Sequence, residues 1–349
     1  MTKSKNIIFL YAELTPYLIG CLNYFIKKNE IYKLYIVYNN VFAKLEIENK
    51  FGCSFISNKK FQSQEELFKF CVNLNPCVLI VSGRMSSDYL YVSRSMRGLT
   101  TRVTVQDTLY RNSFKQIITR KLSYILYLRY FDKFWGVGEL QRKFAKDIGF
   151  KDENIFNGFY VADKKFFEKS NIFSFKNKNL NILFIGRLVK EKNIIRLLEV
   201  INKINHKNNS NHKVTIIGSG PLIDKIKEYD VVNYLGLKTQ DRIIEIALKC
   251  DVFCLPSVYE PWGVVTHEMA ALGLPIIASN LCGSSFDLVE EGYNGFKFNP
   301  YSNKSIETAF QNFISLTQTE KSNQSSNSIS ISKKINHDNW NQTILSIIN

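Results

Sequence analysis

Residues 255–275 read Leu255-Pro-Ser-Val-Tyr-Glu260-Pro-Trp-Gly-Val-Val-Thr-His-Glu268-Met-Ala-Ala-Leu-Gly-Leu-Pro275. The run Val252–Leu255 leads into it. That run is short and apolar without alternation, the pattern of a parallel strand buried on both faces. Pro261 suits a helix start and Gly273 suits the position just past a helix end. The spacing predicts a helix over 264–272 and a further strand over 275–279. Strand, helix and parallel strand make one right-handed βαβ unit.

Outward from this unit the alternation repeats. Toward the N-terminus, Asn181–Ile185 precedes a helical pattern over 193–206, Lys213–Ile217 precedes 221–228, and Val232–Leu235 precedes 240–249. Beyond the unit, 286–290 reads as one more helix. The first half holds five comparable runs: Ile7–Tyr11, Leu34–Tyr38, Val78–Ser82, Thr101–Val105 and Phe134–Val137. Helical stretches at 18–28, 64–74 and 88–96 lie between them. Repeated βα units in series predict an α/β protein of two Rossmann-like, parallel-sheet domains. The first domain is assigned to 1–165 and the second to 166–318, with the boundary inside 163–179. Residues 319–349 read as a polar connector and a last helix that packs back on the first domain. The stretch 202–213 reads as a loop or helix end. The low-complexity run 319–334 reads as a mobile connector.

A chain of 349 residues, 45% hydrophobic and 22% charged, is neither disordered nor fibrous. No apolar run approaches the ~18 residues a spanning helix needs. The apolar stretch Ile7–Tyr11 is too short for a signal peptide, so a cytoplasmic protein is expected. Seven cysteines without a C-x-x-C pair read as free thiols, and four scattered histidines argue against zinc. Residues 1–170 hold 27 Lys/Arg against 15 Asp/Glu, and the rest hold 19 against 16. Such asymmetry points to a polyanion or an anionic membrane face, or to a solvated lysine surface.

The chemistry-bearing residues cluster after predicted strands, where open α/β sheets bind ligands. Gly186-Arg187 follows one strand and Lys192 lies five residues on. A planar guanidinium and a mobile ammonium there suit a diphosphate. Gly218-Ser-Gly-Pro221 makes a tight turn that lets a ligand approach the backbone. The amides of Gly263, Val264 and Val265 open a helix and form an anion seat. Glu260 and Glu268 flank it, and carboxylates accept hydrogen bonds from sugar hydroxyls.

Taken in order, Gly186-Arg187-Leu188, Lys192, Gly218-Ser-Gly-Pro221, Glu260-x7-Glu268 and Gly273-Leu-Pro275 resemble GT-B retaining glycosyltransferases of family 4, also called group 1. The variant is the one that reads Glu-Pro-Trp-Gly. Asn154–Asp163 and Val81–Tyr89 resemble that group as well. The resemblance implies two domains facing across a cleft. It implies that Arg187 and Lys192 bind the donor diphosphate, that Glu260 holds hydroxyls of the transferred sugar, and that Glu268 holds the ribose. It places Gly186 and the amides of Gly263, Val264 and Val265 at the phosphate and sugar. Gly218, Gly236 and Leu237 would line the nucleoside. The donor would be a UDP-, GDP- or dTDP-sugar and the acceptor a glycan, carried on a lipid, in assembly of a bacterial surface polysaccharide such as lipopolysaccharide or capsule. No separate cofactor is expected, and with no D-x-D, no obligatory metal.

The chain departs from the family twice. The loop Ala12–Tyr17 carries no glycine pair, and where the family has a histidine this chain has Gln106-Asp107. His267 reads as structural. The segment 110–135 holds six Lys/Arg against Asp132 alone, interleaved with apolar and aromatic residues. It is a candidate surface for the inner face of an anionic membrane, or a core helix with a basic outer face. Other readings stay open: an epimerase or hydrolase of the same two-domain form, a non-catalytic sugar-nucleotide-binding subunit, or an RNA-binding protein. The last gives 255–275 no role, so no nucleic-acid partner is expected.

Overall fold

The computed structural model describes residues 5–41, 52–111, 113–175 and 178–348. Residues 1–4 of the basic lead, Asn112 in the 110–135 segment and residues 176–177 of the expected boundary lie outside the described residues. The chain forms two units. One comprises Met1–Val161 with Ile335–Asn349, the other Ala162–Lys334. The break thus falls after residue 161, where the sequence reading put it after 165.

In the first unit, β1 (Lys5–Leu14), β2 (Tyr32–Val41), β3 (Cys53–Ser57), β4 (Val78–Ser82), β5 (Thr101–Gln106), β6 (Lys133–Gly136) and β7 (Ile155–Phe156) form one sheet. Its order is β3-β2-β1-β4-β5-β6-β7, and every pairing is parallel. Ile7, Ile8, Phe9 and Leu10 of β1 are all fully buried, which is why the central strand carries no polar alternation.

The helix His337–Ile348 completes this unit by packing on the helix Pro16–Lys28. Trp340, 1% exposed, has its ring centroid 5.0 Å from that of Trp135 and 6.2 Å from that of Phe25. Its indole Nε1 donates to Phe159 O (3.1 Å), so its polar end is satisfied. At the rim, Asp338 accepts from Tyr24 and Lys28, and Asn29 donates to Asn341.

In the second unit, β8 (Asn181–Ile185), β9 (Lys213–Ile217), β10 (Val232–Gly236), β11 (Val252–Leu255), β12 (Ile276–Ser279) and β13 (Gly295–Phe298) form a parallel sheet. The order is β10-β9-β8-β11-β12-β13, so the winding reverses between β8 and β11. The helix Val264–Leu272 falls on the residues predicted for it.

The run 319–334, expected as a mobile connector, is instead part of a helix, Gln318–Ser332. A capping box starts it: Thr317 Oγ1 accepts from Glu320 N, and Glu320 Oε2 accepts from Thr317 N (2.7 Å). Its serines are its packing surface. Ser325, Ser328 and Ser332 are fully buried, and their small hydroxyls find backbone partners such as Phe173 N, Asn294 O and Ile329 O. The neighbouring helix Val264–Leu272 ends in Gly273 at φ +100°, where a Cβ would stand 2.2 Å from Asn171 O and 3.2 Å from Ile329 Cδ1. Close approach, not apolar periodicity, holds this helix in place.

Candidate functional site

β8, β9, β10 and β11 all deliver their following residues to the carboxyl edge of the second sheet. Three of those turns are joined by backbone hydrogen bonds. Gly186 N donates to Ile217 O (3.0 Å), Gly218 N to Gly236 O (3.0 Å) and Leu188 N to Ser219 O (2.8 Å). Gly218 has φ +149°, and a Cβ there would lie 1.9 Å from Gly186 O. Its glycine is therefore required by the neighbouring turn before any ligand is considered. Gly236 has φ +69°, and Leu237 beside it is 75% exposed.

Lys192 and Glu260 form an ion pair across the winding reversal, with side chains 13% and 12% exposed. Two contacts set this geometry. Asn193, in the left-handed conformation (φ 55°), donates from Nδ2 to Pro256 O (3.2 Å) and Pro300 O (3.0 Å). Val258 N donates to Glu191 O (2.9 Å). The turn carrying Lys192 is thereby sewn to the loop carrying Glu260. Asn193 is a positioning residue that the sequence reading passed over. Its signal was an Asn just ahead of an apolar helix, since Asn tolerates the left-handed region best among residues with a side chain. The segment after β12 was missed too: Gly283 N donates to Glu260 O and Ser284 N to Trp262 O, both 3.0 Å.

Gly263 stands at φ +86° at the head of the helix Val264–Leu272, with Thr266 N donating to its carbonyl (2.9 Å). A Cβ there would press on Glu260 Cγ and Leu255 Cδ2, both at 3.0 Å. This places the first-turn amides beside the Lys192–Glu260 pair. Ser257, Trp262, Thr266 and Ser284 each keep a buried polar side-chain atom without a hydrogen-bond partner. Four such atoms around one loop is a concentration that folding stability alone disfavours.

Arg187 is exposed and makes no ion pair among the described residues. It stands just past the carboxyl end of β8, open to solvent and able to meet an anion. Glu268 lies on the second turn of the helix. Burial, with the Asp163 charge adding to it, pushes its carboxyl up to about 8. His267, fully buried, has a different task. Nδ1 accepts from Ala162 N (3.1 Å), so the proton is assigned to Nε2, which faces Ser332 O (3.0 Å). The ring thus ties both stretches where the chain enters and leaves this unit, as the structural reading expected.

The first unit has its own cavity of about 430 Å³ at the carboxyl ends of β1, β4 and β5. Gln106 and Asp107 line it, as do Arg84 and four tyrosines, Tyr11, Tyr17, Tyr127 and Tyr160. Gln106 Nε2 donates to Thr104 Oγ1 (3.0 Å). Asp107 accepts at its carbonyl from Gln141 (3.0 Å) and at Oδ2 from the Tyr160 hydroxyl (3.4 Å). Burial raises the phenols of Tyr11 and Tyr160 well above the ordinary tyrosine range and lifts Tyr17 to about 12, so all three stay neutral.

Residues 165–329 match the family described as glycosyl transferases group 1. An uncharacterized glycosyltransferase of Methanocaldococcus jannaschii is 33% identical over 132 residues, 36% of this chain and 33% of that protein. The capsular polysaccharide biosynthesis glycosyltransferase CapM of Staphylococcus aureus is 31% identical over 157 residues, 43% of this chain and 40% of CapM. The matches therefore span well under half the length of these two relatives. The fold overlays the crystal structure of the Anabaena protein HepE in complex with UDP and glucose, with a TM-score of 0.73, 17% identity and 98% of each chain covered. With two parallel-sheet α/β domains of GT-B form, the chain matches the glycosyl transferases group 1 family over residues 165–329.

Proposed function

We propose that this protein is a retaining glycosyltransferase that moves a sugar from a nucleoside diphosphate donor to a glycan acceptor carried on a lipid. Its setting would be bacterial surface polysaccharide assembly in the cytoplasm. One observation carries the reading: a nearly buried Lys192–Glu260 pair stands beside a helix N-terminus at the winding reversal, with Arg187 exposed after β8. The complex of HepE with UDP and glucose and the name of CapM support the donor class and the setting.

In this reading Arg187, Lys192 and the amides of Gly263, Val264 and Val265 take the diphosphate. Glu260 turns from its lysine to hydroxyls of the transferred sugar. Glu268 meets the ribose, Gly186 stands with the diphosphate and sugar, and Gly218, Gly236 and Leu237 wall the nucleoside. Negative charge grows on the departing diphosphate, so preorganised positive potential is the largest catalytic contribution. Two basic side chains and a helix terminus supply it without a metal. The partnerless atoms of Ser257, Trp262, Thr266 and Ser284 gain partners when ligand and water fill the loop.

The test is nucleoside diphosphate release from UDP-, GDP- and dTDP-sugars, with and without membrane extract of the source cell. Release from one donor class, only with extract, is expected. Turnover without extract would replace transfer by hydrolysis or epimerisation. No release, together with no thermal shift from any nucleotide, would refute the reading.

A further inference from the structure

The segment after β5 turns a polar residue inward at its start and an apolar face, Leu126, Tyr127 and Leu128, toward the core at its end. The helix Phe114–Lys121 continues through Leu122 and Ser123 into a wider π-type turn at Tyr124–Leu128. Leu122 N to Ile118 O (3.0 Å) and Leu126 N to Leu122 O (2.9 Å) keep it helical across the join. The buried residue of Phe114–Lys121 is Gln116, 9% exposed, which donates to Leu109 O and accepts from Arg111 N (2.7 Å). Thr119, half-buried, bonds back to Lys115 O (2.9 Å). Four large apolar side chains point out instead. Phe114 is 77% exposed, Ile118 44%, Leu122 43% and Ile125 50%. Their spacing places them within one stripe along a helix. Tyr124, 60% exposed, sits at its margin.

A soluble helix buries its apolar stripe, and Phe114–Lys121 buries Gln116 while this stripe stays exposed. No other run of the chain gathers so many exposed large apolar residues among the described residues. The stripe is edged by exposed Arg111, Lys115, Arg120 and Lys121. Arg120 also forms an ion pair, with Asp147. An apolar stripe with a basic margin complements one surface above others, a bilayer rich in anionic headgroups. No helix among the described residues is long and apolar enough to cross a membrane, so the contact lies on the surface.

We propose that the face formed by Phe114, Ile118, Leu122 and Ile125 docks the protein on an anionic lipid bilayer, with Lys115 and Lys121 meeting the headgroups. This goes beyond the proposed transfer and needs no donor, so it stands or falls by itself.

The experiment is flotation of the full chain with phosphatidylcholine vesicles and with vesicles of phosphatidylcholine and phosphatidylglycerol at 3:1, without nucleotide. Wild type is expected to partition at least tenfold better onto the anionic vesicles. The triple variant Phe114→Ser, Ile118→Ser, Ile125→Ser should lose roughly 1000-fold, since each burial is worth about tenfold. Lys115→Gln with Lys121→Gln should lose roughly 20-fold at low salt, near fivefold for each charge. It also serves if the triple variant misfolds, since both lysines are exposed. Equal binding to neutral vesicles, or binding untouched by both variants, would overturn the proposal. So would a wild-type dimer that the triple variant turns into a monomer, because a second copy would then cover the stripe.

Discussion

Replacing Glu260 by Gln leaves the Lys192 ammonium facing a neutral amide. The two side chains are 13% and 12% exposed, so neither charge is well solvated by water. Breaking a fully buried pair costs about 3–5 kcal/mol, chiefly the desolvation of the surviving ion. With about a tenth of each side chain still wet, about 2–3 kcal/mol is the better figure. For a unit of this size that lowers Tm by roughly 5–10 °C. Lys192→Met should cost a similar amount, because it strands the carboxylate instead. The double variant should lose no more than either single one, a coupling of at least about 2–3 kcal/mol. Two units need not unfold together, so the readout must be local. Hydrogen exchange of peptides from the helix Val264–Leu272, with and without urea, reports this site directly. Additive losses, or single variants within ~0.5 kcal/mol of wild type, would refute the reasoning. Both single variants should also be silent in donor turnover.

Arg187→Ala should separate function from stability: Tm stays within about 1 °C, while diphosphate release falls roughly 100-fold, and undiminished release would remove Arg187 from the site. Glu268 gives a pH signature. Its carboxyl lies at about 8 in the folded protein and near the ordinary 4.5 when unfolded, so the native state binds more protons between those values. Stability then falls as pH rises through that window, by up to about 1.4 kcal/mol per pH unit. Glu268→Gln should flatten that decline in a series of thermal melts from pH 5 to pH 8.5; a variant that keeps the wild-type slope would clear Glu268 of causing it.

What was legible followed from burial. Strands buried on both faces, such as β1, β4, β9 and β11, read as unbroken apolar runs, and their βα order foretold both sheets. The strands that were missed lie away from the sheet centres: β3 (Cys53–Ser57), half-buried over most of its length, the two-residue β7, and β13 with Lys297 at its middle. Edge strands need fewer apolar residues, so they leave a weaker trace. The helix Gln318–Ser332 was misread because its buried face is serine. Thr317 and Glu320, three residues apart, were the signal that would have found it. At the site, residue types and turns were visible, but pairing was not. Nothing in sequence order says that Lys192 meets Glu260, since the contact is set by Asn193 and by the loop from 256 to 258. The tyrosines around Asp107 were equally hidden, because they come from β1, the following helix and a segment beyond β7.

The last helix also dictates an order of events during synthesis. Residues 162–334 emerge as one uninterrupted run, so the second unit has its whole sequence available first. The first unit has nearly all of its chain by Val161, yet Trp135 and Phe25 wait for Trp340. Until residues 337–348 leave the ribosome, an indole-sized gap stays open beside the helix Pro16–Lys28. The half of the protein made first is therefore the half finished last, and it is exposed to chaperones and proteases for the whole translation of its neighbour.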